Sequence, residues 1–121
     1  MTYTFYKILH YWGLFTTFAS LGVLAYVKIF NHPPQKKEKK MLMMTHGMGL
    51  TALLFGGFGM LAKINSGNPL PNWVIGKLII WLFLGVSVLL LKRLSSKLAI
   101  KIWWLLPPLG ALAGYFAIAK F

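Results

Sequence analysis

Three histidines, thirteen lysines or arginines and a single carboxylate, Glu38, are the charged or readily titrated side chains that these 121 residues offer for chemistry. Two of the histidines fall in long apolar stretches, where a polar group is costly and is a functional candidate by default. His10 follows Lys7 by one helical turn. Lys77 stands in another apolar stretch with Trp81 a turn further on, and His46 lies among Met41, Met43, Met44 and Met48. Imidazole ligates haem iron and transfers protons near neutral pH, and a lysine held neutral also ligates iron. Imidazole beside thioethers is a soft donor set, so His46 and Met43 are the candidate ligands for Cu(I). Each residue also has a plainer role. His10 can tie two helices together by a hydrogen bond, Lys77 can snorkel to headgroups or stack on Trp81, and the methionines can simply pack. His32, beside Pro33, reads as a loop histidine.

What is missing narrows the chemistry further. The absence of cysteine excludes disulfides, CxxC redox centres and thiolate metal sites. One carboxylate excludes paired-carboxylate hydrolysis, EF-hands and two-metal catalysis. No P-loop, GxSxG, HExxH or dinucleotide fingerprint occurs.

The elements that must position these residues are membrane helices. Residues are 58% hydrophobic and 12% charged, against about 25% charged in a soluble domain. A spanning helix takes roughly 20 mainly apolar residues, and four stretches qualify: 6–30, 41–64, 73–91 and 102–121. Between them lie a Pro33-Pro34 segment with the lysine run Lys36–Lys40, a loop over 65–72, and Lys92-Arg93-Leu94-Ser95-Ser96-Lys97. The first apolar run is longer than a signal peptide's h-region and no A-x-A-like site follows it, so it reads as a retained helix. Short links favour antiparallel neighbours. The expected fold is therefore all-α, a single integral-membrane domain over 1–121 built as an antiparallel bundle of four transmembrane helices.

Charge orients it. Nine of the lysines and arginines (Lys28, Lys36, Lys37, Lys39, Lys40, Lys92, Arg93, Lys97 and Lys101) fall on one side, and four (Lys7, Lys63, Lys77 and Lys120) on the other. The positive-inside rule makes the heavier side cytoplasmic and both termini external, periplasmic in a bacterial inner membrane. Trp73 and Trp103-Trp104 sit at expected boundaries. The basic side suits anionic lipid headgroups. Nucleic acid is not an expected partner, because no aromatic residues interleave with the lysines.

Small residues mark the packing faces, since lipid gives helices no hydrophobic reason to associate. Gly49, Ala52, Gly56 and Gly59 form a stripe on the second helix, and Gly110 and Gly114 one on the fourth. His10, Gly13, Thr17 and Ser20 form a small, polar face on the first. These faces should point inward or toward another protomer or membrane protein. Pro107-Pro108 should kink the fourth helix. In this topology His10 and His46 sit near opposite surfaces, on the order of 15 Å apart along the normal, so one haem between them is disfavoured. His10 and Lys77 share a level.

Lys7-x-x-His10, His46 opening the second helix, its glycines, Pro71-Asn72-Trp73-x-x-x-Lys77-Leu78 and Lys92-Arg93 together resemble the SirB family of small bacterial inner-membrane proteins. They are more distantly similar to the group containing HemJ and the CopD domain. The resemblance spans nearly the whole chain. Where the SirB pattern has an acidic residue shortly after the second-helix histidine, this chain has Gly47, Met48 and Gly49. The HemJ group oxidises protoporphyrinogen and is thought to carry a b-type haem held by a histidine and a lysine. The resemblance implies His10 and Lys77 as haem ligands, and Lys7 or Lys63 as partners for its propionates. The functional expectation is a haem- or porphyrin-associated redox protein. The alternatives are a structural or accessory subunit, alone or as a homo-oligomer, and a small transporter or channel.

Overall fold

The computed structural model describes residues 2–64, 70–93 and 95–119, and the regular secondary structure among these described residues is all α-helix. Four helices follow one another: α1 (Tyr3–Ile29), α2 (Lys36–Ile64), α3 (Asn72–Arg93) and α4 (Ser96–Ala119). They hold 27, 29, 22 and 24 residues. At a rise of about 1.5 Å per residue each is at least about 33 Å long, against a hydrocarbon core of about 30 Å. All four are long and apolar enough to cross a membrane. Their outer surfaces agree: Phe15 is 72% exposed and Ile118 86%. Such an apolar mantle is a liability in water and the expected surface against lipid. The protein is a multi-pass, all-α membrane protein.

Local chemistry sets the helix ends. The hydroxyl of Thr2 accepts the amide of Phe5 at 3.2 Å and caps α1. At the other end Asn31 takes a positive φ of 52°, and the amide of His32 donates back to the carbonyl of Val27 at 2.9 Å. That is a Schellman closure, with Asn31 in the left-handed position that asparagine tolerates. Pro33 and Pro34 then prevent continuation.

The lysine run is a correction to the sequence reading. Residues 36–40, expected in the loop, are the first turn of α2. The reason is the one acid: a carboxylate oxygen of Glu38 accepts the amide of Gln35 at 2.9 Å. This is the back half of a capping box, satisfying a donor that an α-helix leaves orphaned. Likewise α4 begins at Ser96 rather than 102, with the carbonyl of Ser95 accepting the amides of Leu98 and Ala99 at 3.1 Å each. It runs as one helix through Pro107 and Pro108. The linker residues 65–69, Leu94, Lys120 and the expected end of the fourth span at Phe121 lie outside the described residues.

Residues group into two compact units, and α1 is divided between them. Among the described residues the first takes 2–20 and 35–64. The second takes 21–34, 70–93 and 95–119 among the described residues. In the first, α1 and α2 run antiparallel, since Thr17 meets Gly49 and Tyr6 meets Gly59. In the second, α3 and α4 pack together, also antiparallel, with Phe116 against Gly76. Its buried residues include Leu21, Ala25, Leu84, Val88, Leu91 and Ala99.

Candidate functional site

The first unit is organised by a seam that both helices write at the same spacing. On α1 the inward residues are Tyr6, His10, Gly13, Thr17 and Ser20, and on α2 they are Leu42, His46, Gly49, Leu53 and Gly56. Both series step by four and three alternately, the 3.5-residue period that keeps one stripe of each helix against its partner. Glycine lets the two backbones touch. A methyl group on Gly13 would stand 2.6 Å from the backbone nitrogen of Leu53 and 2.7 Å from the carbonyl oxygen of Gly49. One on Gly56 would stand 2.6 Å from the nitrogen of His10 and 2.7 Å from the carbonyl oxygen of Tyr6. No side chain larger than hydrogen fits these two positions without separating the helices.

This approach fixes the chemistry of His10. Its Nδ1 lies 2.9 Å from the carbonyl oxygen of Leu53 across the seam. A carbonyl only accepts, so Nδ1 carries a proton, and in the neutral form of the ring the lone pair is on Nε2. Histidine ligands of metals are commonly oriented in this way. The ring lies over Gly57, where a methyl group would be 3.5 Å from its Cε1 and Nδ1.

His46 is the second imidazole of the seam and is 4% exposed. Its Nδ1 is 3.4 Å from the Oγ of Ser20, whose own proton goes to the carbonyl of Thr17 at 2.9 Å. With that hydroxyl proton committed, the imidazole is the donor of the longer contact. Thr17, fully buried, has a hydroxyl without a hydrogen-bond partner, and Gly49 faces it. His10 lies level with Leu53 to Gly56 and His46 level with Ser20. Seven to ten residues therefore separate the two rings along each helix, about 10–15 Å.

The other candidates are distributed as follows. Lys7 and Lys63 are exposed and at the same end of the first unit as His10. Lys7 is one turn from His10, and Lys63 is seven residues beyond Gly56, about 10 Å further along the axis. Lys77 is half-buried near the start of α3, in the second unit. Met43 is half-buried beside His46, while Met41, Met44 and Met48 are exposed. Among the described residues, no group of three or more His, Cys, Asp or Glu side chains could hold a metal ion. Of the packing candidates, Gly49, Ala52 and Gly56 are buried, and the position of Gly59 is filled by the Tyr6 ring. On α4 Gly110 is half-buried, and a methyl group on Gly114 would meet nothing within 4 Å.

Two partners escape a reading of single helices: the Leu53 carbonyl that holds His10, and Ser20 as the neighbour of His46. The matching four-three spacing on the two helices was the signal for both. No family model, curated protein or solved structure matches the chain.

Proposed function

We propose that this protein is a small membrane redox protein in which Nε2 of His10 would hold the iron of a b-type haem. The observation that carries the reading is the Nδ1–H to Leu53 carbonyl bond at 2.9 Å, because it directs the lone pair of His10 to Nε2 and stiffens the ring. The donor set is consistent with this group. A porphyrin supplies four nitrogens of its own and asks the protein for axial ligands alone, so it needs no cluster of acidic or histidine side chains. Bound haem would supply one-electron chemistry. The chain's own residues do the rest: the seam orients His10, and Lys7 and Lys63, at the same end of that unit, are available for propionates. The resemblance to the SirB family suggests a bacterial inner membrane, and the charge asymmetry of the helix ends suggests external termini.

The test is the absorption spectrum of the full chain purified in mild detergent after expression with added haem. A Soret band that His10→Ala removes supports the reading. A colourless protein indistinguishable from His10→Ala refutes it.

A second reading, an accessory subunit or homo-oligomer, is favoured by the open face of α4 at Gly114. There Gly110, Gly114 and Ala117 repeat at helical spacing, the kind of surface on which membrane helices associate. Crosslinking that traps a defined assembly, lost in Gly114→Leu, supports it. An assembly unchanged by Gly114→Leu counts against it.

A further inference from the structure

The second unit carries a strong positive charge with no acid to balance it. The chain's one carboxylate, Glu38, belongs to the first unit and is engaged at Gln35. Within the second unit Lys92 and Arg93 close α3, and Lys28 reaches the same end, its Nζ donating to the Lys92 carbonyl at 3.5 Å. Lys97 and Lys101 follow directly on the first two turns of α4. All but Lys28 are exposed, and Lys28 is half-buried. The cations must find their counter-charge outside the chain.

The face below them says what kind of molecule brings it. Lys97 and Lys101 are one turn apart on α4, about 6 Å along the axis. Continuing down the same stripe at steps of three and four come Trp104, 69% exposed, then Pro108, Ala111 and Tyr115, all exposed. Cation, indole and apolar groups thus succeed one another along a single helix face. An anionic lipid has the same order of phosphate, interfacial glycerol and acyl chain, and tryptophan favours that middle level. An acidic protein partner would match the lysines and leave the apolar part of the stripe unexplained.

We propose that this face of α4, with the basic end of α3 beside it in sequence, forms a binding site for a diphosphate lipid of the cardiolipin class, with Lys97 and Lys101 on its phosphates and Trp104 at its glycerol level. Two phosphodiesters on one headgroup suit two cations a turn apart, with Lys92 and Arg93 adjacent in sequence to complete neutralisation. Basic pockets of membrane proteins bind such headgroups. The site is independent of the haem reading and uses none of its residues.

Native mass spectrometry of the full chain in mild detergent tests it, by titration with cardiolipin, with phosphatidylglycerol at equal phosphate, and with inorganic pyrophosphate. The wild type should bind one cardiolipin at least tenfold more tightly than phosphatidylglycerol, and pyrophosphate should not compete. Lys97→Gln/Lys101→Gln should weaken cardiolipin binding on the order of thirty-fold, from about one factor of five per cation near a charged headgroup. Lys39→Gln/Lys40→Gln removes the same charge from the first unit and should change it less than threefold. Equal losses in the two double variants, equal binding of the two lipids, or competition by pyrophosphate would each overturn the proposal.

Discussion

Adding one methyl group at Gly56 should separate α1 from α2, and the size of the effect follows from the distances. A methyl carbon there stands 2.6 Å from the backbone nitrogen of His10 and 2.7 Å from the carbonyl of Tyr6. Ordinary contact begins near 3.4 Å, so the helices must part by about 0.8 Å. Neither neighbour is a side chain that can rotate away. Overpacking of this kind costs about 1–3 kcal/mol, and rigid backbone on both sides puts Gly56→Ala at the upper end. The same displacement lengthens the 2.9 Å bond from His10 to Leu53 beyond hydrogen-bonding range, costing about 1 kcal/mol more. Alanine's helix preference returns about 1 kcal/mol. The net expectation is a loss of about 2–3 kcal/mol, and Gly13→Ala should match it. Gly47 is the control, since a methyl group there meets nothing within 4 Å. Gly47→Ala should be neutral or stabilising by up to about 1 kcal/mol. Reversible unfolding of the purified protein in mixed micelles reads all three. Gly56→Ala within about 0.5 kcal/mol of wild type, or Gly47→Ala as harmful as Gly56→Ala, would refute the backbone-contact argument.

Other consequences are open to simpler measurements. Thr17→Val replaces a buried hydroxyl that has no hydrogen-bond partner with a methyl of similar size, so it should leave stability unchanged or raise it by about 1 kcal/mol; a loss above that in the same micelle assay would show the hydroxyl to be engaged. Glu38→Ala removes the acceptor for the Gln35 amide and should fray residues 36–40, seen as faster hydrogen exchange confined to that turn, at a cost of about 0.5–1 kcal/mol. Unchanged exchange there would mean that the lysine run is helical for another reason. Cysteines introduced singly at the two chain ends and between the helices should label from alternating sides, four crossings in all. An odd number of crossings contradicts the topology.

Much of this architecture is written in hydropathy. Four apolar runs of membrane length demand helices, because lipid leaves backbone groups no other way to be satisfied. The ends were harder to read. Lys36–Lys40 look like loop by charge, yet Glu38 in their midst turns them into a capped first turn. The start of α4 was obscured in the same way by the lysines beyond Ser95. Gly49, Ala52 and Gly56 were legible as a packing stripe, and so was the small, polar face of α1. What single-helix patterns could not give was the register between them. That register puts the Leu53 carbonyl opposite His10 and Ser20 opposite His46. A backbone acceptor has no residue type, so the partner of His10 left no trace in composition. Gly114 resembles Gly56 in sequence and differs in setting: one meets backbone, the other nothing.

Haem ligation by His10 depends on the state of one ring, and nitrogen NMR of the haem-free protein in lipid, with labelled histidine and a His10→Gln variant for assignment, reads it directly. The His10 signals should show a protonated, pyrrole-type Nδ1 and a pyridine-type Nε2, the tautomer that the carbonyl of Leu53 enforces. A proton on Nε2 with Nδ1 bare, or protons on both nitrogens, would contradict it and remove the basis for His10 as a haem ligand.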